Sequence, residues 1–318
     1  MNPGVALSYQ RCQRFSRWST LIAILSLSLT KFVGIELPIS SQLVIALTAL
    51  ALGIPHGAID HLITLPRKPP QRFYAFIVLY VALAIVAAAC IARWERIGFI
   101  SVVIMSGLHF GFGDAAFKNE FKDFQDKKRI SMLSEIFYAL PAGFAPLLLP
   151  LTDSTTASAL KRINSHLINW AGGTSHLLRV AMLVTALGAL VFMIVRREFD
   201  NALDLSLLIA LAITAPPLIT FAIYFGCWHA IRHTARLVPK LDMARNLASS
   251  GKVGAALWAA IFPGLYALVG TVALAAILMI AGPSHFSMSL LWATLVLVWA
   301  LTVPHMLTTA RFDISALT

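Results

Sequence analysis

Charge is scarce in this chain. Only 12% of its 318 residues are Asp, Glu, Lys or Arg, against about 25% in an ordinary soluble domain. Acidic side chains are the scarcer sign, 14 against 25 basic ones, leaving a formal net charge of +11. Cysteine is nearly absent: Cys12, Cys90 and Cys227, with no CxxC pair. An odd count without metal-type spacing excludes a disulfide scaffold and a thiolate zinc site. Cys90 and Cys227 lie in apolar runs and read as inert core residues. Long polar stretches are missing as well. The only sizeable loops, 118–130, 152–175 and 236–252, are too short for a soluble domain, and there is no internal repeat. The basic excess falls in short loops, as at Arg67-Lys68 with Arg72 and at Lys127-Lys128-Arg129. That pattern suits lipid headgroups and cytoplasmic loops and argues against nucleic acid, which needs a basic soluble face.

What fills the chain instead is apolar: 58% of residues are hydrophobic and the mean hydropathy is +0.80. A helix needs about 20 apolar residues to cross a bilayer. Candidate segments are 19–37, 41–65, 73–92, 97–117, 131–151, 176–195, 203–235, 253–280 and 286–307. The expected fold is an all-α, polytopic membrane helix bundle forming a single domain over 1–318. Arg11, Arg14 and Arg17 precede the first segment, which contains Lys31 and lacks a small-x-small cleavage site, so it reads as a retained helix. Basic loops prefer the cytoplasm. If every segment crossed, loop 236–252, with Arg236, Lys240, Arg245 and Lys252, would fall outside. Making 131–151, with Pro141, Pro146 and Pro150, re-entrant removes the conflict. The expectation is then about eight crossings, both termini cytoplasmic, in the cell (inner) membrane.

Histidine stands out against this background. His56, His109, His229, His233 and His305 all lie inside or at the ends of apolar segments, and the eight-crossing arrangement puts them at similar depth. Ionisable side chains in a bilayer are costly and mark function, and neutral imidazole is the commonest metal ligand. His229 and His233, four apart, leave the same helix face, the spacing of paired zinc-binding histidines. His56 sits in Pro55-His56-Gly57, where proline bends the helix and glycine admits a neighbour. Asp60 shares its face and can fix the tautomer of a ligating imidazole, whereas His61 points elsewhere. His109 lies among Gly107, Gly111 and Gly113, which either pack a neighbouring helix closely or leave room for a substrate. Asp114 reads as a supporting or helix-end residue. His305 repeats the Pro-His step and reads as an alternative ligand or a pocket residue. His166, His176 and His285 read as surface or interfacial. An all-imidazole set suits iron, zinc or copper, and open positions suit Fe(II) that meets dioxygen. The same histidines also fit a bland role, buried and hydrogen-bonded to backbone carbonyls.

Taken in order, Pro55-His56-Gly57-Ala58-Ile59-Asp60-His61, His109-Phe110-Gly111 with Asp114, Tyr224-Phe225 leading to Trp228-His229 and Arg232-His233, and Pro304-His305-Met306 resemble the Brp/Blh family. Its members are bacterial and archaeal membrane β-carotene 15,15'-dioxygenases that supply retinal to microbial rhodopsins. The resemblance implies non-haem Fe(2+) held by His56, His109, His229 and His233. It also implies O2 and β-carotene or a related carotenoid as substrates, and two all-trans-retinal molecules as product. Phe110, Phe112, Tyr224, Phe225 and Trp228 are candidates to line a polyene tunnel. Residues 41–307 would form the catalytic bundle and 1–40 an extension with its own apolar helix. A di-iron desaturase or hydroxylase is the nearest enzymatic alternative, but it needs repeated HxxxH and HxxHH clusters, and this chain has one HxxxH and no HxxHH. A haem carrier or a transporter is the alternative from another class, the transporter disfavoured by the lack of matched halves.

Overall fold

The computed structural model describes residues 2–65, 69–129, 131–281 and 290–317. His285 and the Arg67-Lys68 pair lie outside them. Every regular element among the described residues is helical: α1 Pro3–Phe32, α2 Ile39–Gly57, α3 Asp60–Thr64, α4 Pro70–Arg93, α5 Glu95–Phe124, α6 Met132–Leu151, α7 Thr156–Ile163, α8 Ser175–Val195, α9 Phe199–Thr214, α10 Pro217–Ala222, a π-helical turn Ile223–His229, α11 Ala230–Leu237, α12 Asp242–Ser249, α13 Val253–Ile261, α14 Leu265–Ala281 and α15 Leu290–Leu317. Local chemistry sets several starts. Asn2 caps α1 by accepting from Gly4 N and Val5 N, with Pro3 at the first helical position. Ser131 caps α6 by accepting from Ser134 N, with Glu135 in the first turn.

Seven helices among the described residues are long and apolar enough to cross a membrane: Ile39–Thr64, Pro70–Arg93, Glu95–Phe124, Met132–Leu151, Ser175–Val195, Val253–Leu274 and Leu291–Leu317. Their outer faces are apolar, as at Val78, Leu79, Ile85 and Val86 of α4 and Leu177, Val184, Leu187 and Val191 of α8. This is a membrane protein. Three further elements run alongside the seven. α1 carries three arginines in its first half, α9 has only 16 residues, and 217–237 holds Arg232, Arg236 and two histidines.

Two expectations about the spans are corrected. Segment 131–151 is not broken: α6 is one continuous helix through all three prolines. Pro146 has no N–H for the Ala142 carbonyl four residues back, and the Tyr224 hydroxyl donates to that oxygen instead, at 2.8 Å. Segment 203–235 is not one span. Pro216 and Pro217 force Ala215 into an extended conformation (φ −88°, ψ 145°), so α9 stops and α10 begins in a new direction. Asp204 near the start of α9 meets Arg232 near the end of the following run at 3.1 Å, so the two form an antiparallel hairpin. The passages α1, α2, α4, α5, α6, α8, α9, 217–237, α13–α14 and α15, ten in all, therefore alternate in direction.

The start of α1 and the ends of α3, α5, α8, α11 and α15 consequently gather at one end of the bundle. Contacts fix this end: Asn2 with Ser249, Tyr9 with Glu120, Asn119 with Glu135, Ser134 with Glu198, and Arg236 with Asp313. The opposite end is tied by Arg96 to the Trp170 carbonyl, His166 to Glu95 and Arg179 to Asp153. The largest apolar core joins α6, α8 and α9 around Leu205, Leu208, Tyr224 and Trp228. Cys90 is exposed on α4 and Cys227 half-buried, so neither is the core residue expected.

Candidate metal centre

The five intramembrane histidines come from four separate stretches of chain and meet in one place. Ring centroids of His56 lie 5.2 Å from His229, 5.0 Å from His233 and 5.7 Å from His305. Those of His109 lie 4.9 Å from His229, 6.3 Å from His233 and 5.1 Å from His305. His233 is 5.9 Å from His229 and 5.7 Å from His305. All five are buried, each at most 6% exposed.

Local structure aims each ring. Pro55 lies within the last turn of α2, and the helix ends two residues later, at Gly57. His56 Nδ1 donates to the Gly53 carbonyl, which leaves its Nε2 for another partner. Gly57 makes room for His305: a Cβ there would lie 3.2 Å from the imidazole. His305 Nδ1 lies 3.0 Å from both oxygens of Asp60, and Tyr80 donates to the same carboxylate at 3.1 Å. Asp60 therefore holds His305 rather than His56, whose face it was expected to share. His229 closes the π-helical turn, a local widening that recurs at functional sites, and His233 follows on α11. Gly107 and Gly111 serve the α5–α6 crossing, where Cβ atoms would overlap Phe144 and the Ala139 carbonyl. Gly113 faces the histidines, with His229 Cε1 3.8 Å from the position a Cβ would take. Asp114 touches no imidazole; it pairs with Arg232 at 2.7 Å and accepts from Tyr138, anchoring the helix that carries His229 and His233.

Two residues not singled out from the sequence belong here. Thr309 Oγ1 lies 3.3 Å from His109 Nδ1, and Asp313 Oδ2 lies 3.9 Å from the same nitrogen. His305, Thr309 and Asp313 are spaced four apart on α15, so one helix face supplies all three. The signal was present: polar residues at helical spacing after a Pro-His step.

The donor set fits a metal ion. Among the described residues, His109 Nε2, His229 Nε2, His305 Nε2 and both nitrogens of His233 are buried without a hydrogen-bond partner. Buried polar atoms almost always have one, and a single cation between the rings would serve one nitrogen of each of these four imidazoles. Imidazoles sharing one ion, with nitrogen–metal bonds of about 2.0–2.1 Å, have centroids roughly 4.5–5.3 Å apart. Separations of 4.9–5.2 Å fall in this range, those of 5.7–6.3 Å are wider, and no three His, Cys, Asp or Glu residues among those described already stand in metal-binding geometry. Binding therefore requires the rings to draw inward by small side-chain rotations.

An apolar passage leads to the cluster. One cavity of about 190 Å³ is lined by His56, His109, His229 and His305 with Phe76, Tyr80 and Ala267. A second, of about 200 Å³, extends toward the opposite end between Leu47, Phe99, Leu160, Leu218 and Leu295. Phe110, Phe225, Val298 and Thr302 line both. Of the aromatics expected to line a tunnel, Phe110 and Phe225 are the two that line both cavities. Tyr224 is taken by Ala142, Trp228 stacks on the Arg232 guanidinium at 3.8 Å, and Phe112 packs against the apolar core. His166 and His176 are exposed, as expected, and His61 is half-buried against Phe73 at the edge of the first cavity.

A family profile described as beta-carotene 15,15'-dioxygenase matches residues 47–313, most of the chain and every residue of the cluster. The chain belongs to the β-carotene 15,15'-dioxygenase family. No curated protein and no solved structure matches it. α1 lies outside the matched range, yet it packs on the matched bundle: Ser16 accepts from Arg232 at 2.9 Å and Arg17 pairs with Asp204 at 2.6 Å.

Proposed function

We propose that the protein cleaves the central 15,15' double bond of β-carotene, or of a closely related carotenoid, with dioxygen to give two molecules of all-trans-retinal. His56, His109, His229 and His233 hold a non-haem ferrous ion for this reaction. The observation that carries the reading is the set of buried, unpartnered imidazole nitrogens at the wall of an apolar passage. Bound iron supplies the activation that dioxygen needs. The reaction balances without a further reductant: the C=C bond and the O–O bond break, and each former alkene carbon takes one oxygen atom.

The chain's own part is to bind and orient. A polyene is long and apolar, and it arrives through lipid. Phe110 and Phe225, 6.1 Å apart, stand where the two cavities meet. A polyene lying along this ring pair has one half in each cavity and a central bond beside the imidazoles, which is positioning rather than acid–base work. His56 and His109 keep their outer nitrogens on Gly53 and Thr309, so their inner nitrogens stay unprotonated and available. The end carrying the basic loops faces the cytoplasm of a cell membrane, and the retinal formed in the bilayer is suited to a neighbouring retinal-binding protein such as a microbial rhodopsin.

The test is expression in cells that make β-carotene. Loss of orange colour with accumulation of retinal is expected. Unchanged carotenoid in membranes that contain the full-length protein would overturn the reading.

A further inference from the structure

The proposed ligand set leaves one imidazole of the cluster without a task. We infer that His305 is a fifth ligand of the same ion, oriented by Asp60, and that the open position faces the polyene passage. This rests on the metal reading above and deepens it.

The arrangement of the rings carries the inference. His56, His229, His109 and His305 form a closed circuit, each within 4.9–5.7 Å of the next. His233 contacts all four, at 5.0–6.3 Å. The four rings of the circuit line the first cavity, and His233 is not among its lining residues. The four rings of the circuit thus face the cavity, and His233 lies behind them.

Second, His305 has the surroundings of a ligand. Its Nδ1 is engaged by a carboxylate, and its Nε2 is buried without a partner. A carboxylate on the outer nitrogen fixes the tautomer and raises the basicity of the inner one, the recurring support of metal-bound histidine. Tyr80 in turn donates to that carboxylate, so the support reaches from α4 through α3 to α15. A merely space-filling histidine does not need its ring fixed this way while its second nitrogen is buried without a protein partner.

The experiment uses the purified full-length protein in detergent, loaded anaerobically with ferrous iron. It measures iron per chain, affinity by chelator competition, and the electron paramagnetic resonance spectrum of the nitric oxide adduct. The wild type should hold about one iron. If it holds none, the metal reading itself fails. Given iron in the wild type, His305→Gly should lower affinity by at least tenfold and change the spectrum, and free imidazole should restore both, because Gly57 leaves room beside the vacated ring. Asp60→Asn should weaken iron binding by about 10–100-fold, as loss of a supporting carboxylate does. Wild-type affinity with an unaltered spectrum in His305→Gly would overturn the fifth-ligand assignment while leaving the four-histidine reading standing. If His305→Gly does not fold, Asp60→Asn decides: iron affinity within twofold of wild type overturns the assignment.

Discussion

The imidazoles of this site differ in what surrounds them, and that makes their roles separable. His229 and His233 share one helix face, and His233 has no hydrogen-bond partner at either nitrogen among the described residues. Replacing either by Ala should abolish retinal formation and iron binding together. His166 sits at the far end with a 78% exposed side chain, so His166→Ala should leave both near normal. Iron content and retinal yield, measured on the same membranes, check this ordering. A His229→Ala variant that kept its iron and still made retinal would defeat the histidine-cage reading. The aromatics divide in the same way. Phe225 stacks on Phe221 at 5.4 Å and stands where the cavities join, so Phe225→Ala should loosen the register of the polyene. The expected product is a mixture that includes apocarotenals longer than retinal, resolved by chromatography. Trp228→Phe is the contrast. It keeps the stack on Arg232 and should leave product length unchanged.

Elements of this fold depart from ideal helices where neighbours supply what the backbone lacks. α6 keeps its course through Pro146 because Tyr224 fills the vacant carbonyl at Ala142. Tyr224→Phe removes that bond without changing the ring. It should destabilise the protein by about 1–3 kcal/mol, the cost of a buried acceptor left unpaired, seen as a lower melting temperature in detergent. The α5–α6 crossing depends on Gly107, Gly111 and Gly143. A Cβ at Gly111 would overlap the Ala139 carbonyl, and backbone cannot move aside as a side-chain tip can. Gly111→Val should therefore separate α5 from α6, shift His109, and lower both stability and iron binding. The π-helical turn that ends at His229 is the third departure, where the chain brings that ring into the histidine cluster.

Across the whole molecule, a layer of buried charge lies beneath the histidines at the end where both termini meet. Arg232 joins Asp114 and Asp204, Lys118 joins Asp204 at 2.7 Å, and Arg236 joins Glu120 and Asp313. Removing one partner of such a pair strands a charge. Arg232→Met should cost about 3–5 kcal/mol, and it should free α1, which reaches this layer through Ser16 and Arg17. Limited proteolysis of α1 reports that release. The alternation of ten passages puts the exposed Ser250 at the same end as both termini and the exposed Thr174 at the other. In a cysteine-free background, a membrane-impermeant thiol reagent applied to intact cells should label Thr174→Cys and not Ser250→Cys. The reverse pattern would place the basic loops outside.

Much of this was legible along the chain. Scarce charge and long apolar runs dictate a membrane helix bundle, because only internally hydrogen-bonded helices or closed barrels satisfy the backbone in lipid. The i, i+4 pair His229 and His233 and the Pro-His steps marked the site, because imidazole is costly there without a purpose. The expectation that the basic loop 236–252 shares a side with both termini rested on a wrong element: the chain gains a turn at Pro216-Pro217 and does not lose one at 131–151. Proline's local effect is readable, but whether a helix survives it depends on a donor from elsewhere, and Tyr224 is 82 positions from Ala142. The partner of Asp60 was misassigned for the same reason. His56 is four residues away and His305 is 245, and sequence spacing ranks only neighbours on one helix. Which carboxylate meets which ring is decided by packing, where Gly57 admits the His305 imidazole and the last helix lays His305, Thr309 and Asp313 along the cluster.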